Sequence, residues 1–449
     1  MISVQNITIG NELSRISSAI FFLLCLIPAL GTIIFGAVDE TTWIIISVFW
    51  AAIILLWLAE AWKGGGLRLK ASSLLLPLAI LIFIGVVQLL PTPFASLNYA
   101  ATRFFVGRLI VYFVFFAACL TFINNEQRLK KVVWFVVIFG SVMAFYGILQ
   151  WLANPAGIYG LRGTPQAIPF GPFVNQHHFA AFMEMTGGVT LGLLFGGKRS
   201  RDRVMLLVLA VVIMGAAVGF TSSRGGLLGF VSVLAFVILM QLLTPKHLTD
   251  AAGNVHLVAQ RKIAVAASGL ALIVVIFSVI LLLGGNDQLL RGTGAISADV
   301  DISTGRFHFW PIALKIFLGH PILGAGFDAF GVAFTKYDTW SGVLRVEQAH
   351  NEYLQTLADS GVIGLICVVT FIFLLFRKGI GTILSQRGFR KSAAVGALAG
   401  CFGILVHSFF DFPLRTHSNT FFFFVLVAIA TVPIVADITQ KRRRSSSEH

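Results

Sequence analysis

Two arginines and a histidine stand out in this sequence because of what surrounds them. Thr221-Ser222-Ser223-Arg224-Gly225-Gly226 sets a guanidinium among hydroxyls and glycines, in a tight turn between two apolar runs. Glycines leave backbone N–H groups accessible and a guanidinium offers two parallel bonds to phosphate, so the turn suits an anion. An arginine at a helix end also snorkels to a membrane interface, and the residues alone leave that structural reading open. Gly305-Arg306-Phe307-His308-Phe309-Trp310 opens a helical pattern. There Arg306 is a second phosphate ligand aided by the helix dipole, or a solvated arginine above an aromatic stripe. In Glu347-Gln348-Ala349-His350-Asn351-Glu352-Tyr353-Leu354, helical spacing puts His350 on the face of Leu354 and Leu357. That is the place of a packed histidine. It is equally that of an imidazole kept neutral by a helix N-terminus and able to take a proton from a hydroxyl. Glu347 and Glu352 are both candidate partners to orient the ring, and the sequence does not choose between them.

Other polar residues gather near these three. Phe173-Val174-Asn175-Gln176-His177-His178-Phe179 precedes an apolar run, with Arg162 upstream. Adjacent histidines point to different helix faces and make a poor zinc pair, so no metal is expected. Glu184 lies inside an apolar run, where a carboxylate marks a functional site or pairs with a neighbouring arginine. His407, Asp411, Arg415 and His417 crowd one short turn and are expected to line the same cavity. No phosphate-binding glycine loop, dinucleotide fingerprint or zincin pattern is present, so nucleotide hydrolysis has no site here.

The elements that must position these residues are membrane spans. The chain is 57% hydrophobic and 12% charged over 449 residues, against about 25% charged for soluble domains, so a water-facing surface cannot be built from it. Stretches near the 20 or so apolar residues needed to cross a bilayer fall near 16–38, 42–62, 72–90, 104–123, 132–152, 179–197, 204–221, 226–243, 264–284, 362–376, 393–410 and 419–437. The first is too long for a signal-peptide core and reads as a span. The formal charge of +14 does not point to nucleic acid, because basic residues cluster in short connections on alternate sides. Lys63, Arg68 and Lys70, then Arg128, Lys130 and Lys131, then Lys198 to Arg203, and finally Lys441–Arg444 all fall on the side of the termini, together with Lys246. By the positive-inside rule both ends are cytoplasmic. The expected fold is therefore an all-α polytopic membrane protein of about twelve transmembrane helices, N-in and C-in. Its long outer segment, 285–361, is too long for a passive connection. Phe307, Trp310, Leu314 and Phe317 at helical spacing make part of it a short amphipathic helix on the membrane or capping the bundle. The four cysteines sit in apolar runs without disulfide or metal spacing and read as small buried residues.

Taken in order, Ser223-Arg224-Gly225, then Gly305-Arg306, Trp310 and His320-Pro321-Ile322-Leu323-Gly324-Ala325-Gly326, then His350-Asn351-Glu352-Tyr353-Leu354-Gln355-Thr356-Leu357-Ala358-Asp359-Ser360-Gly361-Val362-Ile363-Gly364-Leu365 resemble the O-antigen ligase and polymerase (Wzy-type) superfamily of bacterial envelope glycosyltransferases. The similarity is strongest over about 205–375, and Asn175-Gln176-His177-His178-Phe179-Ala180 shares it. The resemblance implies a metal-independent, inverting transfer that uses no cofactor, at the periplasmic face of the bacterial inner membrane. The implied donor is a glycan on undecaprenyl diphosphate. The implied acceptor is lipid A–core for a ligase, or a second lipid-linked glycan for an O-antigen or exopolysaccharide polymerase; protein O-glycosylation is a further option. Carried over, Arg224, Arg306 and His350 are the catalytic residues, and Arg162, Asn175, His177, Asn351, Glu352, Tyr353 and Arg415 are expected to bind substrate. The chain divides into helices one to six (1–203), a ligase-like catalytic region (204–376), two C-terminal helices (377–437) and a basic tail (438–449) anchored on membrane lipid. A twelve-span transporter is the rival from another class. It would show two similar halves and broken helices at mid-membrane, which the sequence does not.

Overall fold

In the computed structural model, residues 2–153, 155–165, 167–197, 199–243, 255–293, 305–340 and 346–433 are described, with backbone alone for 2–14, 255–262 and 285–293. Lys246 and the basic tail 438–449 lie outside them. The described residues are helical with no strand. Apolar runs take this form in lipid because only a helix satisfies every backbone N–H and C=O within one segment. In order the helices are α1 (Ile2–Ile33), α2 (Glu40–Gly64), α3 (Leu75–Gln88), α4 (Tyr99–Phe122), α5 (Glu126–Ala153), α6 (Gln176–Phe195), α7 (Arg201–Phe220), α8 (Arg224–Leu243), α9 (Val255–Thr293), α10 (Arg306–Gly319), α11 (Phe330–Thr335), α12 (Glu352–Ser385), α13 (Gly388–His407) and α14 (His417–Thr431).

Every expected apolar run is a helix, but they are not equal. Among the described residues ten helices are long and apolar enough to cross a membrane, whereas α3 and α14 have 14 and 15 residues. At 1.5 Å per residue those two reach only about 21–23 Å of a roughly 30 Å hydrocarbon layer. The protein is thus a multi-pass, all-helical membrane protein. The tenth run departs most from expectation: α12 covers 352–385 rather than 362–376 and is broken at Gly361 (φ 64°, ψ −166°).

α6 forms the centre of the bundle and packs on α5, α7, α8 and α13. Its contact with α13 is made by small residues. A Cβ at Gly188 would lie 2.6 Å from the Gly400 backbone N, so only glycine lets these axes approach so closely.

The break at Gly361 is filled by 320–326, the His-Pro-Ile-Leu-Gly-Ala-Gly stretch. Val362 N–H donates to Pro321 O (2.9 Å), Ala325 N–H to Ala358 O (2.8 Å) and Gly326 N–H to Asp359 O (3.1 Å). Gln88, at the end of α3, fastens the joint. Its Nε2 donates to Leu323 O (2.6 Å) and Asp359 O (2.9 Å), while its Oε1 accepts from Phe327 N–H (3.0 Å). The motif is therefore a backbone clamp that locks the 305–340 segment onto the bundle. It also explains why α12 can start outside the apolar run: the freed backbone groups have partners.

α10 caps the same end, as expected, but its buried face is not the stripe read from the sequence. Phe309, Ile312, Ala313 and Ile316 are buried against α11 and α12, while Phe307 and Leu314 are exposed. Both faces of the helix are apolar: one meets protein, and the other is left at the surface.

Candidate functional site

At the capped end, three helices begin with an asparagine whose side chain accepts from their first turn: Asn98, Asn175 (His177 N–H, 2.8 Å) and Asn351 (Tyr353 and Leu354 N–H, 3.0 and 3.1 Å). The caps fix where α4, α6 and α12 start and hence where the polar residues beside them stand.

Arg224 is the first residue of α8. The preceding turn is held by Ser223, whose Oγ accepts from Gly226 N–H (3.0 Å) and meets His177 Nδ1 (2.8 Å). Ser222 adopts φ +52°, unusual for a residue with a side chain. Arg306 is likewise the first residue of its helix, α10, after the left-handed Gly305 (φ 87°), and its Nε donates to Phe410 O (2.8 Å). The two guanidiniums, 82 residues apart in sequence, line one cavity of about 620 Å³ with His177, Ser222, His407 and Asp411. Two helix N-termini and two arginines converge there, a combination that favours an anion.

His350 differs from expectation. It is not on the α12 helix: Asn351 caps that helix, and His350 precedes it with φ +50°. Neither glutamate orients it. Its Nδ1 instead meets Asp411 Oδ1 (3.2 Å), and its ring lies against Phe309 (5.9 Å) and edge-on to Phe412 (4.9 Å between centroids). Asp411 is buried and its Oδ1 also accepts from Phe412 N–H (2.9 Å). Burial pushes its carboxyl pKa up, but the His350 bond and the nearby imidazoles of His177, His350 and His178 outweigh this and hold it well below the usual carboxylate range. A carboxylate there favours Nδ1–H on His350 and leaves Nε2 as the basic nitrogen. His350 reaches the cavity through Asp411, which is one of its walls.

His407, Asp411, Arg415 and His417 do not share a cavity. His407 and Asp411 line the one just described, while Arg415 and His417 line a second of about 370 Å³. In the second, Arg415 is bound by Asp359 (2.8 Å), Asp328 (3.0 Å) and Glu352 (3.6 Å). Burial alone would lower the Arg415 pKa, but these carboxylates raise it above its ordinary value. Glu184 is paired with His407 Nδ1 (2.7 Å), not with an arginine, and both are fully buried.

The remaining expected residues divide. His177 joins the arginines. Asn175 and Asn351 are helix caps, Tyr353 donates to Leu405 O (2.8 Å) and packs against the tilted Phe409 ring, and Arg162 forms a two-bonded pair with Asp39 beside Phe35. Among the described residues no group of three or more histidine, cysteine or acidic side chains forms a metal cluster.

In the sequence Asp411 is part of a crowded turn and is not among the expected site residues. The available signal was an acidic residue at the end of an apolar run on the side of Arg224. Nothing in the spacing linked it to His350, 61 positions away.

Residues 209–369 match the family model described as O-antigen ligase. None of the curated proteins matches the chain. The match bears out the resemblance to the O-antigen ligase and polymerase superfamily. It contains Arg224, Arg306 and His350, while His177, His407 and Asp411 fall outside it.

Proposed function

We propose that the cavity of Arg224 and Arg306 transfers a glycan from undecaprenyl diphosphate to a sugar hydroxyl, at the face of the inner membrane away from the cytoplasm. In this reading twelve helices are arranged with both ends inside. The observation that carries it is the convergence of two helix-terminal arginines on a cavity whose wall, Asp411, holds an imidazole.

The chemistry balances with these groups alone. Arg224 and Arg306 bind the diphosphate, aided by the α8 and α10 N-termini. The acceptor oxygen attacks the anomeric carbon from the side opposite the leaving group, giving inversion. As the new C–O bond forms, the hydroxyl proton passes to His350 Nε2. The old bond from carbon to phosphate oxygen breaks, and its electron pair leaves on the diphosphate, where the guanidiniums neutralise the growing charge. Asp411 stabilises the imidazolium formed, as a buried carboxylate does beside a general base. The histidine is restored by passing its proton to the departing diphosphate or to water. No nucleotide is needed, because the lipid diphosphate is already an activated leaving group.

The acceptor we favour is lipid A–core, with a second lipid-linked glycan, as in a polymerase, the alternative. Lipopolysaccharide and lipid-linked glycans from a strain lacking this chain, run on one gel, test both. Loss of capped lipopolysaccharide with lipid-linked chains of normal length indicates a ligase. Loss of long chains with single repeats still transferred indicates a polymerase. Unchanged profiles on complementation with Arg224→Ala, Arg306→Ala or His350→Ala would overturn the enzymatic reading.

A further inference from the structure

The second cavity is not part of the diphosphate site, yet it touches the same histidine. Asp411 and Phe412 are consecutive: Asp411 walls the arginine cavity and binds His350, while Phe412 walls the second cavity and lies edge-on to the His350 ring. His350 therefore stands between two chambers of opposite character.

The second chamber carries Asp328, Glu352 and Asp359 against Arg108 and Arg415, three carboxylates to two guanidiniums. Among the described residues the first carries two guanidiniums to one carboxylate. A diphosphate is drawn to the first and repelled by the second. The second chamber also holds buried acceptor atoms without a hydrogen-bond partner among the described residues, Glu352 Oε1 and Gln348 Oε1, and the similarly unpartnered His178 Nε2. His178 is 7% exposed. Unsatisfied polar atoms of this kind are costly unless a ligand or water completes them. Opposite them the wall is apolar: Leu78 and Leu81 of α3, Phe105 and Leu109 of α4, and Val368 of α12. At about 370 Å³ the chamber falls within the range of small-ligand sites, roughly 300–1,000 Å³.

We propose that this chamber receives the acceptor's terminal sugar, an uncharged hydroxyl-rich group whose anionic lipid anchor stays outside it, and presents one hydroxyl to His350 past Phe412. Hydroxyls donate to Glu352, Gln348 and the Asp328–Asp359 pair, and the Phe105 and Phe412 rings with the apolar α3–α4–α12 wall cover sugar C–H faces. The proposal rests on glycan transfer at the arginine cavity, and adds that donor and acceptor headgroups are sorted by charge.

The test uses the full-length protein in nanodiscs and two photoreactive probes with the same diazirine-bearing alkyl chain. One probe ends in maltose and the other in a diphosphate. Cross-links are mapped by mass spectrometry for the wild type, Gln348→Leu and Leu109→Trp. Gln348→Leu keeps the side-chain size and removes hydrogen bonding; Leu109→Trp fills the chamber, and a thermal unfolding scan reports whether it folds. The expected result is maltoside cross-linking to α3, α4 and the start of α12, reduced about tenfold in Gln348→Leu, the loss of one good hydrogen bond. Diphosphate cross-linking should stay near Arg224 and Arg306 in every variant. Maltoside labelling that ignores Gln348→Leu, or diphosphate labelling in the acidic chamber, overturns the proposal. With diphosphate labelling near Arg224 and Arg306 intact, such a failure leaves the donor reading standing. Loss of that labelling in the wild type would remove the donor reading as well.

Discussion

The cavity of Arg224 and Arg306 and the cavity of Arg415 lie on either side of Asp411 and Phe412, and each is lined by two guanidinium groups. In the second, one guanidinium is met by three carboxylates, two of them within 3.0 Å. In the first, the lining carboxylate Asp411 is engaged by His350 and a backbone N–H, and Arg306 Nε bonds to a neutral carbonyl. The difference is one of placement: Arg415 is held by three carboxylates, whereas Arg224 and Arg306 begin helices at the wall of a cavity. Residue type alone does not decide it. Arg415, expected to bind substrate, is held by Asp328, Glu352 and Asp359.

That contrast is breakable by substitution. The largest effect is expected at the His350 base: His350→Ala should lower transfer by about 10²–10⁴-fold, measured with purified protein and a lipid-linked glycan donor. Arg224→Ala and Arg306→Ala should each cost about 10²–10³-fold, as removal of charge-stabilising donors does, with thermal midpoints near wild type. Arg415→Gln should do the reverse in kind. It leaves three carboxylates facing one another, so stability should fall by about 3–5 kcal/mol, read as a lowered unfolding midpoint in detergent. If Arg415→Gln folds normally but loses only transfer, the division between the two cavities is wrong.

Asp411→Asn sharpens the comparison through pH. Asp411 is held below the ordinary carboxylate value, so its charged pairing is fully present above the unfolded value of about 3.9 and weakens as pH falls below it. Wild type should therefore lose stability on acidification below about pH 4, and Asp411→Asn should show less of that loss. At neutral pH the variant should also transfer more slowly than wild type, because the carboxylate that holds Nδ1–H on His350 and stabilises its imidazolium is lost. The smallest effect is expected at Arg162→Ala: about 1 kcal/mol or less from the half-exposed Asp39 pair, with transfer unchanged. A large loss of transfer there would extend the donor site to the 155–175 loop.

Much of this was legible in the sequence, and the rest fails for identifiable reasons. Apolar runs located the ten helices that are long enough to cross a membrane among the described residues, because the lipid constraint acts on each run separately. Arg224 and Arg306 could be placed at the same end by counting spans, since each follows a connection on that side. The position of His350 was misread because apolar spacing continued through 350, 354 and 357, whereas the Asn351 cap sets the true start of α12. Its partner was out of reach: Asp411 meets His350 only because α12 begins against the end of α13, where Glu352 N–H donates to Ser408 O (2.9 Å). The His-Pro-Ile-Leu-Gly-Ala-Gly stretch reads as a helix breaker, but its use as a clamp in the Gly361 break depends on Gln88, over two hundred positions earlier.

The central claim is that Arg224 and Arg306 act together on one diphosphate. Single-turnover transfer in nanodiscs, measured for Arg224→Ala, Arg306→Ala and the double variant, tests it most directly. Groups that work as a unit are strongly non-additive, so the double variant should be about as slow as the slower single variant. Three rates within about twofold of wild type, or independent effects that multiply in full as for sites without shared partners, would contradict it.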